Sequence, residues 1–228
     1  MLLATCAPAG KPAGAFFIGN EGDAAMTPHV FLELKNATVG IAGLGGLGSN
    51  VAVALTRLRV GKLILVDYDQ IEESNLNRQN FFADQIGQHK VDAMLDTLYR
   101  INPKANLEGR KVRLTPEKIP EVFKEAHIIA ECFDRADQKQ MLVETVLSRM
   151  KDVIIVSVSG LAGYGNSNDI VTRRISDRLI LVGDTVSGIG RGVPLTAPRV
   201  GVAAYHQANA IAEVLVSELH TKLTGSTT

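Results

Sequence analysis

Residues 38–79 read TVGIAGLGGLGSNVAVALTRLRVGKLILVDYDQIEESNLNRQ, and this stretch decides the fold. An apolar segment at 39–42 is typical of a buried strand, and a second one at 63–66 ends at Asp67. Between them lies a turn in G-x-G-x-x-G spacing that opens a helix, with the glycines Gly43, Gly45, Gly46 and Gly48. A strand, glycine turn, helix, strand and acid in this order predict a nucleotide-binding unit.

The three glycines that form the G-x-G-x-x-G spacing, Gly43, Gly45 and Gly48, each have a physical purpose. One glycine allows the chain to turn, one lets the backbone approach phosphate, and one lets the helix pack closely on the strand. The helix start offers free amide donors and the positive end of its dipole to an anion. Asp67 follows Gly48 by 19 residues, a spacing at which a carboxylate accepts hydrogen bonds from ribose hydroxyls.

Strands and helices continue to alternate beyond this unit. We predict strands over 106–113, 127–133 and 153–159, and helices over 90–101, 116–125 and 137–150. This alternation is typical of an α/β fold with a doubly wound, mostly parallel, Rossmann-like sheet.

The pattern changes after residue 159. Two short segments, 170–174 and 178–182, predict an antiparallel hairpin, and an apolar stripe over 199–219 predicts a long final helix. We interpret residues 1–28, which are rich in Ala, Gly and Pro, as an N-terminal extension, and residues 29–228 as a single domain.

Composition excludes several classes of protein. The 24 basic and 24 acidic residues balance, which argues against a nucleic-acid partner. The two cysteines, Cys6 and Cys132, form no CxxC pair, so we expect neither zinc nor a disulfide scaffold. No apolar run is long enough to span a membrane, and the N-terminus lacks the features of a signal peptide. We therefore expect a cytoplasmic protein without a membrane partner.

A dehydrogenase explains the glycines and Asp67 but leaves three charged residues without a purpose. Arg78 belongs to the polar loop 74–79, Lys90 opens the following helix, and Asp134 ends a later strand. Because parallel strands end at one crevice, these side chains should reach the same cavity. Two cations and one acid beside a nucleotide are typical of a site for a triphosphate and magnesium.

Several segments then establish a resemblance to a family. They are G-L-G-G-L-G, L-V-D-Y-D, S-N-L-N-R-Q, I-G-Q-H-K, I-N-P and E-C-F-D, in that order. Together they resemble the ThiF/MoeB/HesA-type adenylyltransferases, relatives of the ubiquitin-activating enzymes, over about residues 36–220. G-x-A-G-Y-G at 160–165 and G-R-G…A-P-R-V at 190–200 are similar to a short, zinc-free ThiF-like branch assigned to thiamine biosynthesis.

The resemblance implies a reaction and its partners. A ubiquitin-like sulfur carrier inserts its C-terminal Gly-Gly tail, and the carboxylate attacks the α-phosphate of ATP to give an acyl-adenylate and pyrophosphate. The resemblance further implies that the chain uses Mg²⁺ and acts as a homodimer. By position match, the resemblance implies that Asp67 holds ribose, Arg78 and Lys90 bind phosphate, and Asp134 binds magnesium. The loop against the triphosphate would contain Ser74, Asn75, Asn77 and Arg78.

The sequence departs from family members in three ways. It lacks the CxxC pairs of zinc-bearing relatives, and residues 183–198 lack the cysteine of thiolating relatives. Residues 1–37 contain no arginine to enter a partner subunit's site, and Arg191 is a candidate substitute. A covalent sulfur step by this chain is therefore not expected.

Other interpretations remain open from sequence. The chain could activate a molybdopterin-type carrier or act in tRNA modification, bind NAD(P) as an oxidoreductase, or be an inactive nucleotide-binding scaffold. Individually, Arg78 could be a surface cation, Lys90 a solvated lysine and Asp134 a helix cap. Cys132, within an apolar strand, is expected to belong to the core rather than act as a nucleophile. The sequence does not identify the carrier or the sulfur donor.

Overall fold

The computed structural model describes residues 34–188 and 193–224, and within these ranges seven strands form one sheet. The strands are β1 Thr38–Ala42, β2 Lys62–Asp67, β3 Asn106–Lys111, β4 Ile128–Glu131, β5 Ile154–Val158, β6 Val171–Ser176 and β7 Leu179–Gly183. The helices are α1 Gly46–Arg57, α2 Lys90–Ile101, α3 Lys118–Val122, α4 Ala136–Arg149 and α5 Ala197–Thr224. The predicted extension over residues 1–28 lies outside the described residues.

The sheet is doubly wound, as predicted. Its strand order is β3-β2-β1-β4-β5-β7-β6, and every neighbouring pair is parallel except β6 and β7. The antiparallel β6–β7 hairpin and the long helix α5 confirm the change of pattern after residue 159.

Several predicted elements are shorter than expected. The strands predicted over 127–133 and 153–159 are Ile128–Glu131 and Ile154–Val158. The strand predicted over 106–113 ends at Lys111, because its partner β2 ends at Asp67, which lies opposite Lys111. The helix predicted over 116–125 is limited to Lys118–Val122, and its Ile119 is fully buried together with Phe123 directly after it. Tertiary packing, rather than local sequence preference, therefore determines where β3 and α3 end.

The core lies in two layers, one on each face of the sheet. Helices α1, α2 and α5 pack on one face, and α3 and α4 pack on the other. Alternate residues of one strand serve both layers: in β5, Ile154 and Val156 face the first and Ile155 the second. Burial on both faces explains why these strands are almost continuously apolar. Each such side chain, once fully buried, stabilises the fold by about 1.5–3 kcal/mol.

The winding places a crevice at the carboxyl ends of the central strands. Helix α1 leaves β1 toward one face, whereas α4 leaves the neighbouring strand β4 toward the other. Ligands of open α/β sheets bind where the chain changes direction in this way. Within the described residues, no helix is both long and apolar enough to cross a bilayer.

Candidate active site

A cavity of about 510 Å³ opens at the carboxyl ends of β1, β2, β4 and β5. This volume is typical of a small-molecule site. Seven of the residues singled out from sequence line it: Gly43, Gly45, Gly46, Asp67, Arg78, Lys90 and Asp134. The other four, Gly48, Ser74, Asn75 and Asn77, are not among its lining residues. Those four lie outside the cavity and contact residues that line it, as described below.

The glycine turn combines a tight bend with close packing. Gly43 has a φ of +94°, which favours glycine, and its amide donates to the carbonyl of Val66 at 2.8 Å. A Cβ at Gly48 would lie 1.8 Å from the carbonyl oxygen of Gly43, so a side chain there cannot fit without movement of the backbone. Gly48 therefore serves the packing of α1 against β1 rather than the lining of the cavity.

The start of α1 is open toward the cavity. Gly45 is the N-cap residue and has no side chain that could cap the helix, and the first turn of α1 contains no acidic residue. Gly45 and Gly46 both line the cavity. The first amides of a helix have no partners within the helix, and the helix dipole adds positive potential. This end of α1 can therefore accept an anion.

Asp67 fixes two turns at once. One carboxylate oxygen accepts the amide of Leu44, within the glycine turn, at 2.6 Å. The other accepts the amide of Asp69 at 2.8 Å. Asp67 is only 8% exposed but lines the cavity. Since a carboxylate accepts several hydrogen bonds, these contacts orient the group while leaving acceptor capacity for a ligand hydroxyl.

Arg78 is held by its own loop. Its Nη1 donates to the carbonyl of Ser74 at 3.1 Å and to Oδ1 of Asn77 at 2.7 Å. Asn75 shapes the same loop by accepting the amide of Glu72 at 3.2 Å. Among the described residues no partner binds Nε or Nη2 of Arg78, and its side chain passes beside Gly46. Two guanidinium nitrogens thus stay available next to the helix start.

Polar residues of α1 attach this loop to the helix, and sequence reasoning missed them. The Asn50 amide donates to the carbonyls of Gly46 at 2.7 Å and Arg78 at 3.4 Å. Asn80 donates its backbone amide to Ser49 Oγ at 3.0 Å and its side-chain amide to Asn50 Oδ1 at 2.9 Å. Serine and asparagine are ordinary residues on a helix, so only the fold reveals this attachment.

Lys90 is buried rather than solvated. It is 7% exposed, and its Nζ lies 3.2 Å from Oδ2 of Asp69. Its backbone amide also donates to the carbonyl of Asp69 at 3.0 Å. Asp69 lines the cavity and was missed, although the second acid of the D-Y-D segment was a visible signal. A lysine amine has three donors, so this contact leaves others for phosphate.

Asp134 is the carboxylate of the set that the protein leaves free. It is exposed at the cavity, and within the described residues no hydrogen bond reaches its side chain. The described part of the chain contains no group of three His, Cys, Asp or Glu residues that could hold a metal. A magnesium ion there would therefore need oxygens from substrate and water beside Asp134, which is how Mg²⁺ is commonly bound.

A buried ion pair forms the floor between β4 and β5. Glu131 is fully buried, and Lys139 donates to both of its oxygens, at 3.1 and 2.8 Å, and to the carbonyl of Val158 at 3.0 Å. Ser157 adds a hydrogen bond to Glu131 at 2.7 Å. Lys139 lines the cavity but has used its three donors, so it supports the strand ends. An acid inside an apolar strand was the sequence signal for this pair.

Cys132 has the environment of a core residue. It is 6% exposed, and burial, together with the negative charge of Glu131, raises the pKa of its thiol well above the usual range. A protonated, buried thiol is a poor nucleophile. Arg191, the candidate substitute for a partner subunit's arginine, lies outside the described residues.

On the β5 side, the cavity is closed by two loop segments, 159–162 and 187–188, which we call the loop wall. The first segment of the loop wall follows β5 and the second follows β7, whereas the glycine turn follows β1, and β4 lies between β1 and β5. The cavity thus extends beyond the part that is lined by the glycine turn, Arg78 and Lys90.

The chain is similar to known proteins in sequence and in fold. The model of the ThiF family matches residues 18–174. "Adenylyltransferase and sulfurtransferase uba4" of Aspergillus clavatus is 36% identical over 135 residues, which are 59% of this chain and 27% of that protein. "Ubiquitin-like modifier-activating enzyme 5" of Oryza sativa subsp. japonica is 42% identical over 91 residues, 40% of this chain and 22% of that protein. The match thus spans about a quarter of the length of these relatives.

Solved structures share the fold. The tRNA N6-threonylcarbamoyladenosine dehydratase TcdA of E. coli in complex with ATP superposes with a TM-score of 0.75 at 18% identity, covering 87% of this chain and 91% of that one. E. coli MccB with ATP gives a TM-score of 0.60 at 26% identity, covering 83% and 58%. Because the family model matches more than half of the chain, the protein belongs to the ThiF family.

Proposed function

We propose that this chain is an ATP-dependent adenylyltransferase that activates the C-terminal glycine carboxylate of a ubiquitin-like sulfur carrier, in thiamine (thiazole) biosynthesis. The observation that carries the proposal is the meeting of Arg78, Lys90 and Asp134 with the open start of α1 in one cavity. A dinucleotide site has no need of two cations and a free carboxylate beyond the glycine turn. A triphosphate with a metal ion needs all of them.

Each residue has a role that follows from its surroundings. Asp67, oriented by two backbone amides, accepts the ribose hydroxyls. The start of α1 and the free nitrogens of Arg78 receive phosphate oxygens, and Lys90 approaches from the side of Asp69. Asp134 would hold magnesium, which would neutralise part of the charge on the phosphates when bound.

The reaction needs no general base. The carrier's carboxylate is already ionised at neutral pH, so it attacks the α-phosphate directly, and the bond to pyrophosphate breaks. The protein contributes by holding the two reactants in line and by stabilising the charge that shifts onto the leaving phosphates. Arg78 and Lys90 are the donors placed to do so.

Two observations support a protein carboxylate as the acceptor of the adenylyl group. The relatives are named for activation of ubiquitin-like modifiers or for adenylyl and sulfur transfer. The cavity also extends past the phosphate end to the loop wall, which provides space for a second substrate. The equal numbers of basic and acidic residues favour a protein tail over tRNA as that substrate.

The proposal is tested by ATP–pyrophosphate exchange with a panel of purified sulfur carriers of thiamine and molybdopterin type, beside tRNA and an NADH-binding control. Exchange stimulated by a thiamine-type carrier, and lost when its terminal glycine is removed, is the expected result. Stimulation by another carrier or by tRNA would assign the enzyme to the pathway of that substrate instead of thiamine biosynthesis. NADH binding without exchange would replace the proposal by an oxidoreductase.

Asp134→Asn is expected to raise the magnesium concentration needed for half-maximal exchange by about tenfold, because a neutral amide is a weaker ligand for a hard cation. Asp137→Asn is the matched control, since Asp137 is an exposed acid on the same segment that pairs with Arg135 at 2.8 Å and does not line the cavity. Titrations of magnesium at fixed ATP measure both variants. Equal magnesium dependence in the wild type and Asp134→Asn would contradict the metal role.

We also propose that the active form is a homodimer, as the family resemblance implies. Sedimentation at the concentration used for exchange measures this directly, and a monomer with full activity would exclude it.

A further inference from the structure

The segment 160–165 and the described part of the segment 190–200, residues 193–200, were singled out from sequence without a role in binding ATP. Arg199, in the first turn of α5, brings part of them together, although it is only 7% exposed. Its Nη1 donates to the carbonyls of Gly165 and Asn166, and its Nη2 donates to Oδ2 of Asp184 at 2.6 Å. One side chain thus links helix α5 to two loops.

Asp184 continues this link into the loop wall. Its Oδ1 accepts the amides of Val186 at 2.9 Å and Ser187 at 2.8 Å, and its Oδ2 accepts the Ser187 hydroxyl at 2.6 Å. The Ser187 hydroxyl oxygen accepts the amide of Ala162 at 3.0 Å. Ser187 and Ala162 both line the cavity. The chain of contacts therefore runs from Arg199 to the cavity surface, and we call Arg199, Asp184 and Ser187 the arginine clamp.

The arginine clamp is built from buried charges. The side chains of Arg199 and Asp184 are 7% and 11% exposed. Burial opposes ionisation of Asp184, but hydrogen bonds from Ser187, from backbone amides and from Arg199 outweigh it and hold the pKa of this carboxyl well below its usual range. Removing one partner of such a pair leaves an uncompensated charge, which is strongly unfavourable. The amides of Asp184 and Thr185 also donate to the carbonyls of Gly160 and Ser159, both at 3.0 Å, so the arginine clamp adds side-chain contacts to a short main-chain link between the two loops.

We propose that Arg199 and Asp184 are positioning residues that hold the loop wall in the shape that receives the acyl substrate, separately from the phosphate end. This inference rests on the proposed function for the identity of that substrate. Neither residue needs to touch the reacting atoms, because they act through Ser187 and the backbone of the loop wall. The glycine turn, Asp67, Arg78 and Lys90 are held by contacts of their own.

The test is Arg199→Lys, which keeps the charge but loses the planar fork that bonds three acceptors at once. We expect the KM for the carrier to rise by about tenfold or more, the effect of losing one charge-assisted hydrogen bond, while the KM for ATP stays within about twofold. Asp184→Asn keeps the shape of the side chain and should give the same split. Arg178→Lys is the matched control, because Arg178 also bonds two carbonyls, those of Leu147 and Met150, and does not line the cavity.

Hydrogen–deuterium exchange on the same full-length proteins separates the inference from the proposed function. Faster hydrogen–deuterium exchange in Arg199→Lys over 159–166 and 184–188, but not over 43–50, supports the arginine clamp. This result does so even if no carrier stimulates ATP–pyrophosphate exchange by the wild type. A carrier KM equal to that of the wild type, or an equal rise in both KM values, overturns it. Unchanged hydrogen–deuterium exchange in the loop wall of Arg199→Lys overturns the inference as well.

Discussion

Arg78→Ala is expected to lower carrier-dependent ATP–pyrophosphate exchange by about 10²-fold, the effect of removing one donor that stabilises charge in the transition state. Within the described residues, Nη1 of Arg78 is engaged by Ser74 and Asn77, and the other guanidinium nitrogens are left without a protein partner beside the start of α1. The side chain is thus held in one orientation, while its other guanidinium nitrogens can still donate hydrogen bonds to a substrate. Exchange rates at saturating ATP and carrier measure the loss.

A surface arginine provides the comparison. Arg57, exposed at the far end of α1, does not line the cavity, so Arg57→Ala should keep full exchange. Circular dichroism would show that both variants are folded, since Arg78 is only half-buried. Full exchange by folded Arg78→Ala would remove this residue from the mechanism and leave Lys90 as the main cation.

Gly48→Ala is expected to lower the free energy of unfolding by about 3 kcal/mol, at the upper end of what overpacking usually costs. The new Cβ would lie 1.8 Å from the carbonyl oxygen of Gly43 and 3.2 Å from Ile41, so α1 must move away from β1. Because the start of α1 also faces the cavity, ATP binding should fall as well. Urea unfolding and a nucleotide-binding titration measure the two effects.

The same substitution elsewhere in a helix should act in the opposite direction. Gly201 lies within α5, and a Cβ there would meet no atom within 4 Å. Gly201→Ala should therefore stabilise the protein by about 0.5–1 kcal/mol, the usual difference between glycine and alanine inside a helix. If Gly48→Ala and Gly201→Ala changed the free energy of unfolding equally and in the same direction, the contact between Gly48 and Gly43 would not be what constrains the turn.

Sequence reasoning was most successful where the signal is local. The glycine spacing, the apolar strands and the helical period repeat over short distances, so β1, α1, β2 and α2 appear where they were predicted. The convergence of Arg78, Lys90 and Asp134 also followed from a general rule, because parallel strands present their carboxyl ends at one crevice. Element ends were less predictable, as β3 and α3 show, since a strand stops where its partner stops.

The amino-acid sequence by itself determined the doubly wound sheet and most of the singled-out residues that line its cavity, because periodicity and turn chemistry act between near neighbours in the chain. Only the tertiary structure decided which charges are paired. Lys90 meets Asp69 across 21 residues, and Arg199 meets Asp184 across 15. Such pairs join common residue types whose partners are set by how separate loops and helices pack, so no local pattern predicts them. They nevertheless decide which donors remain free for a substrate and which serve to hold the loop wall.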